Sequence, residues 1–280
     1  MPGRQLLLLV TTILLLPASL AAERSERSFP ASADTIVEVQ NQIGRVVVHG
    51  WDRPQVRVFA ERHSRWTEVH LEPVANRLHV HTHILQPDIP ATERTVNYEI
   101  WMPAGASLEL HVDVGQVEVE GLRNGVKIET VAAPVSLREV VGSVEATTTS
   151  GDVRVVNCGG RLNAGSVSGN LTFIDNRVRS LTARTASGNI RYEGELLGGS
   201  SYEFSNHEGM IELLLAPDAS FELTARSVQG EVSNVFPLKP KSHGQLPAPS
   251  VAHSLLGTVQ SGAALVRASS FSGKITIGKR

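Results

Sequence analysis

The stretch Val144-Glu145-Ala146-Thr147-Thr148-Thr149-Ser150-Gly151-Asp152-Val153-Arg154-Val155 carries the pattern that decides the fold. Val144, Ala146 and Thr148 alternate with other residues, Ser-Gly interrupts, and Val153 and Val155 resume the alternation. A period of two is strand periodicity and cannot be laid on one face of a helix. The same sequence recurs as Leu162, Ala164, Ser166, Ser168-Gly169, Leu171, Phe173 and as Leu181, Ala183, Thr185, Ser187-Gly188, Ile190, Tyr192. Looser copies run Tyr202, Phe204, Asn206, Gly209, Ile211, Leu213 and Leu223, Ala225, Ser227, Gly230, Val232. A close copy ends the chain at Val266, Ala268, Ser270, Ser272-Gly273, Ile275, Ile277.

The glycines recur roughly every 18 to 21 residues, a period that marks repeat architectures. The expected fold is therefore all-β: a repetitive β-solenoid, β-helix or roll-like, of about seven or eight coils with two short strands each. The repeated Ala predicts a narrow place in the core, with Leu, Val, Ile and Phe filling the wider part. Ser-Gly-Asp at 150–152 and Ser-Gly-Asn at 168–170 and 187–189 predict tight turns that use positive φ at Gly.

Outward from the repeat, the chain divides into regions. Arg4, the apolar run Leu6 to Leu16, Pro17 and the small residues Ala18 to Ala22 predict a secretory signal peptide over 1–22, cut after Ala21 or Ala22. Residues 23–34 are polar and read as a flexible leader. Residues 35–107 read as an N-terminal β-strand region, with turns at Asn41 to Gly44 and Gly50 to Pro54 separating short antiparallel strands. Residues 108–280 hold the repeats. At Ala133-Pro134-Val135 a Pro stands where Gly is expected, which predicts an exposed edge or a different turn. Pro237, Pro240, Gly244, Pro247 and Pro249 break the pattern, so 235–256 reads as a long surface loop inserted in the final coil.

The residues Asn41-Gln42-Ile43-Gly44 with Val46 and Val48, Gly50-Trp51-Asp52 with Val56 and Val58, Tyr98 with Ile100 and Pro103, and the Ser-Gly-Asp or Ser-Gly-Asn units together resemble a bacterial secreted family of adhesin-like β-strand-repeat proteins of unknown function. The likeness covers residues 35–60 and 98–277. It implies an exported, solenoid-like β protein located in the periplasm, at the cell surface or outside the cell, and it carries over no catalytic residue.

Composition narrows the function. The formal net charge is −2, with Phe, Trp and Tyr at 5%, which favours neither nucleic acid nor an anionic membrane surface as partner. The apolar run at the N-terminus is short for a membrane span, and no other long one follows, so no integral span is expected after cleavage. The single cysteine, Cys158, has no intramolecular partner, so stability is expected from stacking and not from disulfides.

The best candidate site is His79, His81 and His83, which alternation puts on one strand face, with His70 on a possible neighbouring strand. Imidazoles so placed suit Zn, Cu or Ni. The alternative is a solvated face, because an i,i+2 spacing of about 7 Å is wide for joint ligation. Asp152, Asn170 and Asn189 raise a calcium roll, but the expected role is hydrogen bonding to the turn backbone. Glu118, Glu120, Glu129, Glu139, Glu145, Glu193 and Glu195 show no distinctive pairing for glycoside hydrolysis. Trp51 and Trp101 are expected to be buried at strand ends, with Trp66 left open.

The reading is a non-catalytic exported scaffold with no cofactor, whose partner is an envelope polymer or protein. A regulatory component that binds another envelope protein is the second reading, and a polysaccharide-active β-helical enzyme the third.

Overall fold

A computed structural model of the chain describes residues 23–240 and 253–280. The signal peptide expected over 1–22 and the middle of the insertion expected over 235–256 lie outside the described residues. Among the described residues the protein is all-β with one large mixed sheet and a single 3-10 turn at Ala91–Arg94. No helix among them is long and apolar enough to cross a membrane.

The N-terminal strands are β1 (Glu23–Pro30), β2 (Ile36–Trp51), β3 (Gln55–Arg62), β4 (Thr67–Val74), β5 (Arg77–Ile84), β6 (Val96–Pro103) and β7 (Ser107–Glu120). Residues 36–51 were expected to break at Asn41 to Gly44, yet they form one strand. Gly44 bends it at φ +142°, and Gly115, its partner on β7, bends with it at φ +144°. A Cβ at either position would overlap a backbone carbonyl, so only Gly admits this bend. The bend is held from inside by a partly buried chain of hydrogen bonds. Asn41 donates through Nδ2 to Val96 O (2.8 Å) and accepts from Thr82 Oγ1 (2.9 Å), and the Tyr98 hydroxyl lies 2.7 Å from Thr82 Oγ1.

The bend sends the two halves of β2 and β7 into two ladders. The first halves pair with each other and β2 pairs with β5; the second halves pair with each other and β2 pairs with β6, all parallel. Among these N-terminal strands antiparallel pairing is confined to β1 with β3, β3 with β6, and the β4–β5 hairpin. Residues 23–30 are thus a paired strand and not a flexible leader. Their lack of apolar alternation does not matter, because an edge strand can be held by backbone hydrogen bonds and the cross-strand ion pairs Arg24–Glu61 and Glu23–Arg62.

The repeats follow as β8 (Val126–Ala132), β9 (Val135–Arg138), β10 (Val141–Thr148), β11 (Val153–Val156), β12 (Gly159–Ser166), β13 (Leu171–Ile174), β14 (Arg177–Ser187), β15 (Ile190–Gly194), β16 (Ser201–Glu208) and β17 (Ile211–Leu215). Each strand lies parallel to its counterpart one repeat away. Ala146 pairs with Ala164, Ala164 with Ala183 and Ala183 with Phe204, while Val155 pairs with Phe173, Phe173 with Tyr192 and Tyr192 with Leu213. All of these are buried, which places the core between the two ladders. Burying a Val, Leu, Ile or Phe side chain stabilises by about 1.5–3 kcal/mol before ordering costs, and every repeat contributes several.

The chain ends with β18 (Phe221–Ser227), β19 (Val232–Asn234), β20 (Lys239–Pro240), β21 (Ser254–Val259), β22 (Ala264–Ser270) and β23 (Ile275–Lys279). Here stacking order departs from chain order. β22 lies between β16 and β18, and β23 between β17 and β19, so the last repeat is inserted beneath the one that precedes it in sequence. β21 then covers the outer edge of β18 in antiparallel pairing, and β20 pairs with β21.

The repeated glycines serve a different purpose from the one expected. Gly151, Gly169 and Gly188 do not adopt positive φ; a Cβ on each would overlap the carbonyl oxygen of residue 133, 151 or 169 in the repeat before. Ala133 therefore occupies the glycine place in its repeat. Pro134 sits one position later, in an exposed turn, and Val135 beyond it is paired on both sides, so this repeat has no free edge.

Polar ladders run beside the glycine column. Thr185 Oγ1 donates to Gly169 O (3.1 Å) and Ser227 Oγ to Gly273 O (2.8 Å), both from buried positions. Asp152 Oδ1 accepts from Asn170 N (2.8 Å), Asn170 Oδ1 from Asn189 N (3.0 Å) and Asn189 Oδ1 from Met210 N (2.8 Å). These side chains bond to the backbone of the neighbouring repeat and tie the stack along its length.

Candidate functional site

Outward side chains alternate with core ones along each strand, so registers place them in rows across the sheet. Near the N-terminal end one row reads Glu26 on β1, Phe59 on β3, Glu99 on β6, Val47 on β2 and Glu118 on β7. A second reads Arg57, Trp101, His49, Glu120 and Arg138. An open surface hollow of about 760 Å³ lies over these strands, with Phe59, Tyr98, Arg24, Arg45, Glu99 and Glu118 among its walls.

The floor beside the hollow is an aromatic and carboxylate cluster. The His49 ring stacks on Trp101 at 4.2 Å, with Nδ1 2.6 Å from Glu120 Oε1. Trp101 Nε1 donates to Glu99 Oε1 (3.0 Å), and Trp51 Nε1 donates to Gln55 O (2.8 Å). Trp51 lies 5.7 Å from Trp101, and the Arg57 guanidinium lies 5.6 Å from the Trp51 ring. Trp51 and Trp101, expected to be buried, are half-buried because both project outward from the sheet, as is Trp66 under Arg65. Half-exposed aromatic rings flanked by carboxylates and an arginine can stack on a sugar ring while bonding its hydroxyls.

The histidine face lies on the other ladder. His79, His81 and His83 do alternate on one face of β5, and the hairpin register supplies what the sequence alone lacked. His70 on β4 is directly opposite His81, Glu68 opposite His83 and Glu72 opposite His79. The rings of His70 and His81 stack at 5.2 Å and 8°, and His83 stands edge-on to His70 at 6.0 Å. Ligand atoms of His70, Glu72 and His81 all lie within 4.8 Å of one another. His79 is drawn elsewhere, with Nδ1 3.2 Å from Glu38 Oε2, where Arg77 also binds (2.9 Å). Partial burial pushes the Glu38 carboxyl up, but hydrogen bonds from Arg77 and Gln40 and the charges of His79 and Arg77 outweigh it and hold its pKa below the ordinary range.

Cys158 is buried, and burial pushes its thiol up to about 11, so it stays protonated and is no nucleophile at neutral pH. Glu118, Glu120, Glu129, Glu139, Glu145, Glu193 and Glu195 all lie on exposed or half-buried positions; Glu118 pairs with Arg45 (2.9 Å) and Glu129 with Lys127 (2.8 Å).

No family model and no curated protein matches the chain. Among solved structures, the chain is similar to one described as a "putative adhesin" from Bacteroides fragilis, over 91% of this chain and 97% of that one, at 11% identity and a TM-score of 0.48. A second "putative adhesin", from Parabacteroides distasonis, aligns over 92% and 97% at 12% identity and a TM-score of 0.43. A "putative cell adhesion protein" from Clostridium sporogenes aligns over 92% and 100% at 8% identity and a TM-score of 0.26. These descriptions fall in the class that the turn motifs resemble.

Proposed function

We propose that the protein is an exported, non-catalytic β-solenoid that acts as an adhesin-like binding scaffold, and that its N-terminal outer face holds an envelope polymer. The observation that carries this reading is the hollow of about 760 Å³ lying over an unbroken strand ladder. Its walls combine Phe59 with cationic and anionic side chains, and the Trp51–Trp101–His49 cluster adjoins it. A hollow of this size that follows several adjacent strands suits a long polymer better than a small molecule. The coil-on-coil registers support the solenoid, and the apolar run at Leu6 to Leu16 supports export.

The test is retention of isolated cell-wall polysaccharide by the purified chain, with an envelope protein extract run in parallel. Polymer is expected to be retained, and Phe59→Ala combined with Arg45→Glu is expected to weaken retention about tenfold, the loss typical of an interface anchor. Stoichiometric capture of one protein without polymer would overturn the reading in favour of a regulatory role. Release of new reducing ends from the polysaccharide would overturn its non-catalytic part.

A further inference from the structure

We propose that His70, Glu72 and His81 form a transition-metal site on the β4–β5 hairpin, distinct from the polymer surface. His70 and His81 are cross-strand partners, so their Cβ atoms start about 4.5–5.5 Å apart. This is closer than any i,i+2 pair along one strand, which is why the site spans two strands instead of following His79, His81 and His83 along β5. Glu72 enters from the diagonal position on the same face. Two imidazole nitrogens and a carboxylate oxygen are a donor set for Zn²⁺, Cu²⁺ or Ni²⁺.

The geometry is close to what an ion needs. Bonds of about 2.0–2.1 Å in a tetrahedron put ligand atoms about 3.3 Å apart, and here they lie within 4.8 Å before any ion draws them in. Side-chain rotation closes the difference, because His70 and His81 are half-exposed and Glu72 is exposed. The backbone beneath does not have to move: β5 is paired to β4 on one side and β2 on the other, with Val80 fully buried under it. His83, edge-on to His70, is within reach of a fourth coordination position. Glu68, with Oε2 3.2 Å from His70 Nε2, adds negative charge that offsets that of the ion. A further exposed histidine near carboxylates, His111 beside Asp113 and Glu129, has Lys127 bound to Glu129, which opposes a cation there.

The experiment uses the full chain produced without a histidine tag, stripped with EDTA and titrated calorimetrically with ZnCl₂ and, separately, NiCl₂. X-ray absorption of the loaded protein counts the imidazoles. One ion per chain is expected, with two or three imidazole ligands. His70→Ala and His81→Ala should each weaken binding at least about tenfold, since even partners outside the ligand set usually cost that much. His207→Ala, on the distant strand β16, should leave it unchanged, and circular dichroism reports whether each variant keeps its strands. The proposal is overturned if neither metal binds. It is equally overturned if His70→Ala binds like the parent chain while His79→Ala and His83→Ala lose the ion.

Discussion

Gly169 lies directly over the Gly151 carbonyl, and a Cβ on Gly169 would overlap that oxygen. The recurrence of Ser-Gly is therefore a record of how closely successive repeats approach at one corner. Gly169→Ala should cost about 1–3 kcal/mol, the range for overpacking a fitted interior. The neighbouring backbone cannot yield without breaking the Asp152–Asn170 and Asn170–Asn189 hydrogen bonds beside it. Urea denaturation of Gly169→Ala against Gly125→Ala checks this, because a Cβ at 125 meets only Ser107 Oγ at 3.6 Å. Equal midpoints for the two variants would refute the account.

A second buried contact fixes the opposite corner. Asn176, 1% exposed, accepts from Cys158 N (2.8 Å) and donates to Val155 O (3.0 Å), bridging two repeats. Asn176→Ala should destabilise by about 1–3 kcal/mol, because it orphans a buried donor and a buried acceptor together. Hydrogen exchange at the Cys158 amide should quicken in the same variant; unchanged protection would mean that the bridge contributes little.

Stability should fall on the alkaline side. Burial raises the Cys158 thiol from 9.0 to about 11 and the Tyr98 phenol from 10.0 to about 12. Both groups are neutral when protonated, so a folded pKa above the unfolded one stabilises fully below the unfolded value and is lost as pH rises towards the folded one. For Cys158 the window runs from 9.0 to about 11, with a limiting slope of about 1.4 kcal/mol per pH unit. Urea midpoints measured across that window should fall less steeply for Cys158→Ala than for the parent chain. Parallel profiles would show that the thiol is not linked to folding.

Much of the repeat was legible because alternation and a small corner residue are local signals. Val144, Ala146 and Thr148 face the core for the reason their spacing predicts. What sequence could not carry is neighbour identity. Repeats 201–215, 221–234 and 264–279 present nearly the same inward pattern, so nothing local dictates that the last stacks between the other two. The polar strand Glu23–Pro30 escaped because ion pairs at an edge leave no hydrophobic period. The histidine cluster was half visible: His79, His81 and His83 fixed the face, but Glu72 and the His70–His81 opposition depend on hairpin register, set by the connection at Ala75 and Asn76. The Gly44 bend reads from sequence as a turn, since a glycine alone does not say whether a strand stops or only bends.

The stacked strands also raise the question of what ends them, because an unpaired β18 would offer a row of free amides and carbonyls to another chain. β21 removes that edge by pairing Phe221 with Val259 through to Arg226 with Ser254 in antiparallel sense, a reversal that the parallel ladder itself cannot continue. The other ladder finishes on the three-residue strand Val232–Asn234, shortly followed by Pro237, and is too short to recruit much. At the N-terminal end, β1 closes on Pro30 and β4 carries Pro73, each of which interrupts donors along an outer edge. Replacing Leu256 and Thr258 together by Pro should lift β21 off and expose β18. The expected result is mass that climbs with concentration in light scattering, while circular dichroism still reports the remaining strands. If the double variant keeps the parent's mass at every concentration although its β18 amides exchange freely, then β21 is not what protects this edge.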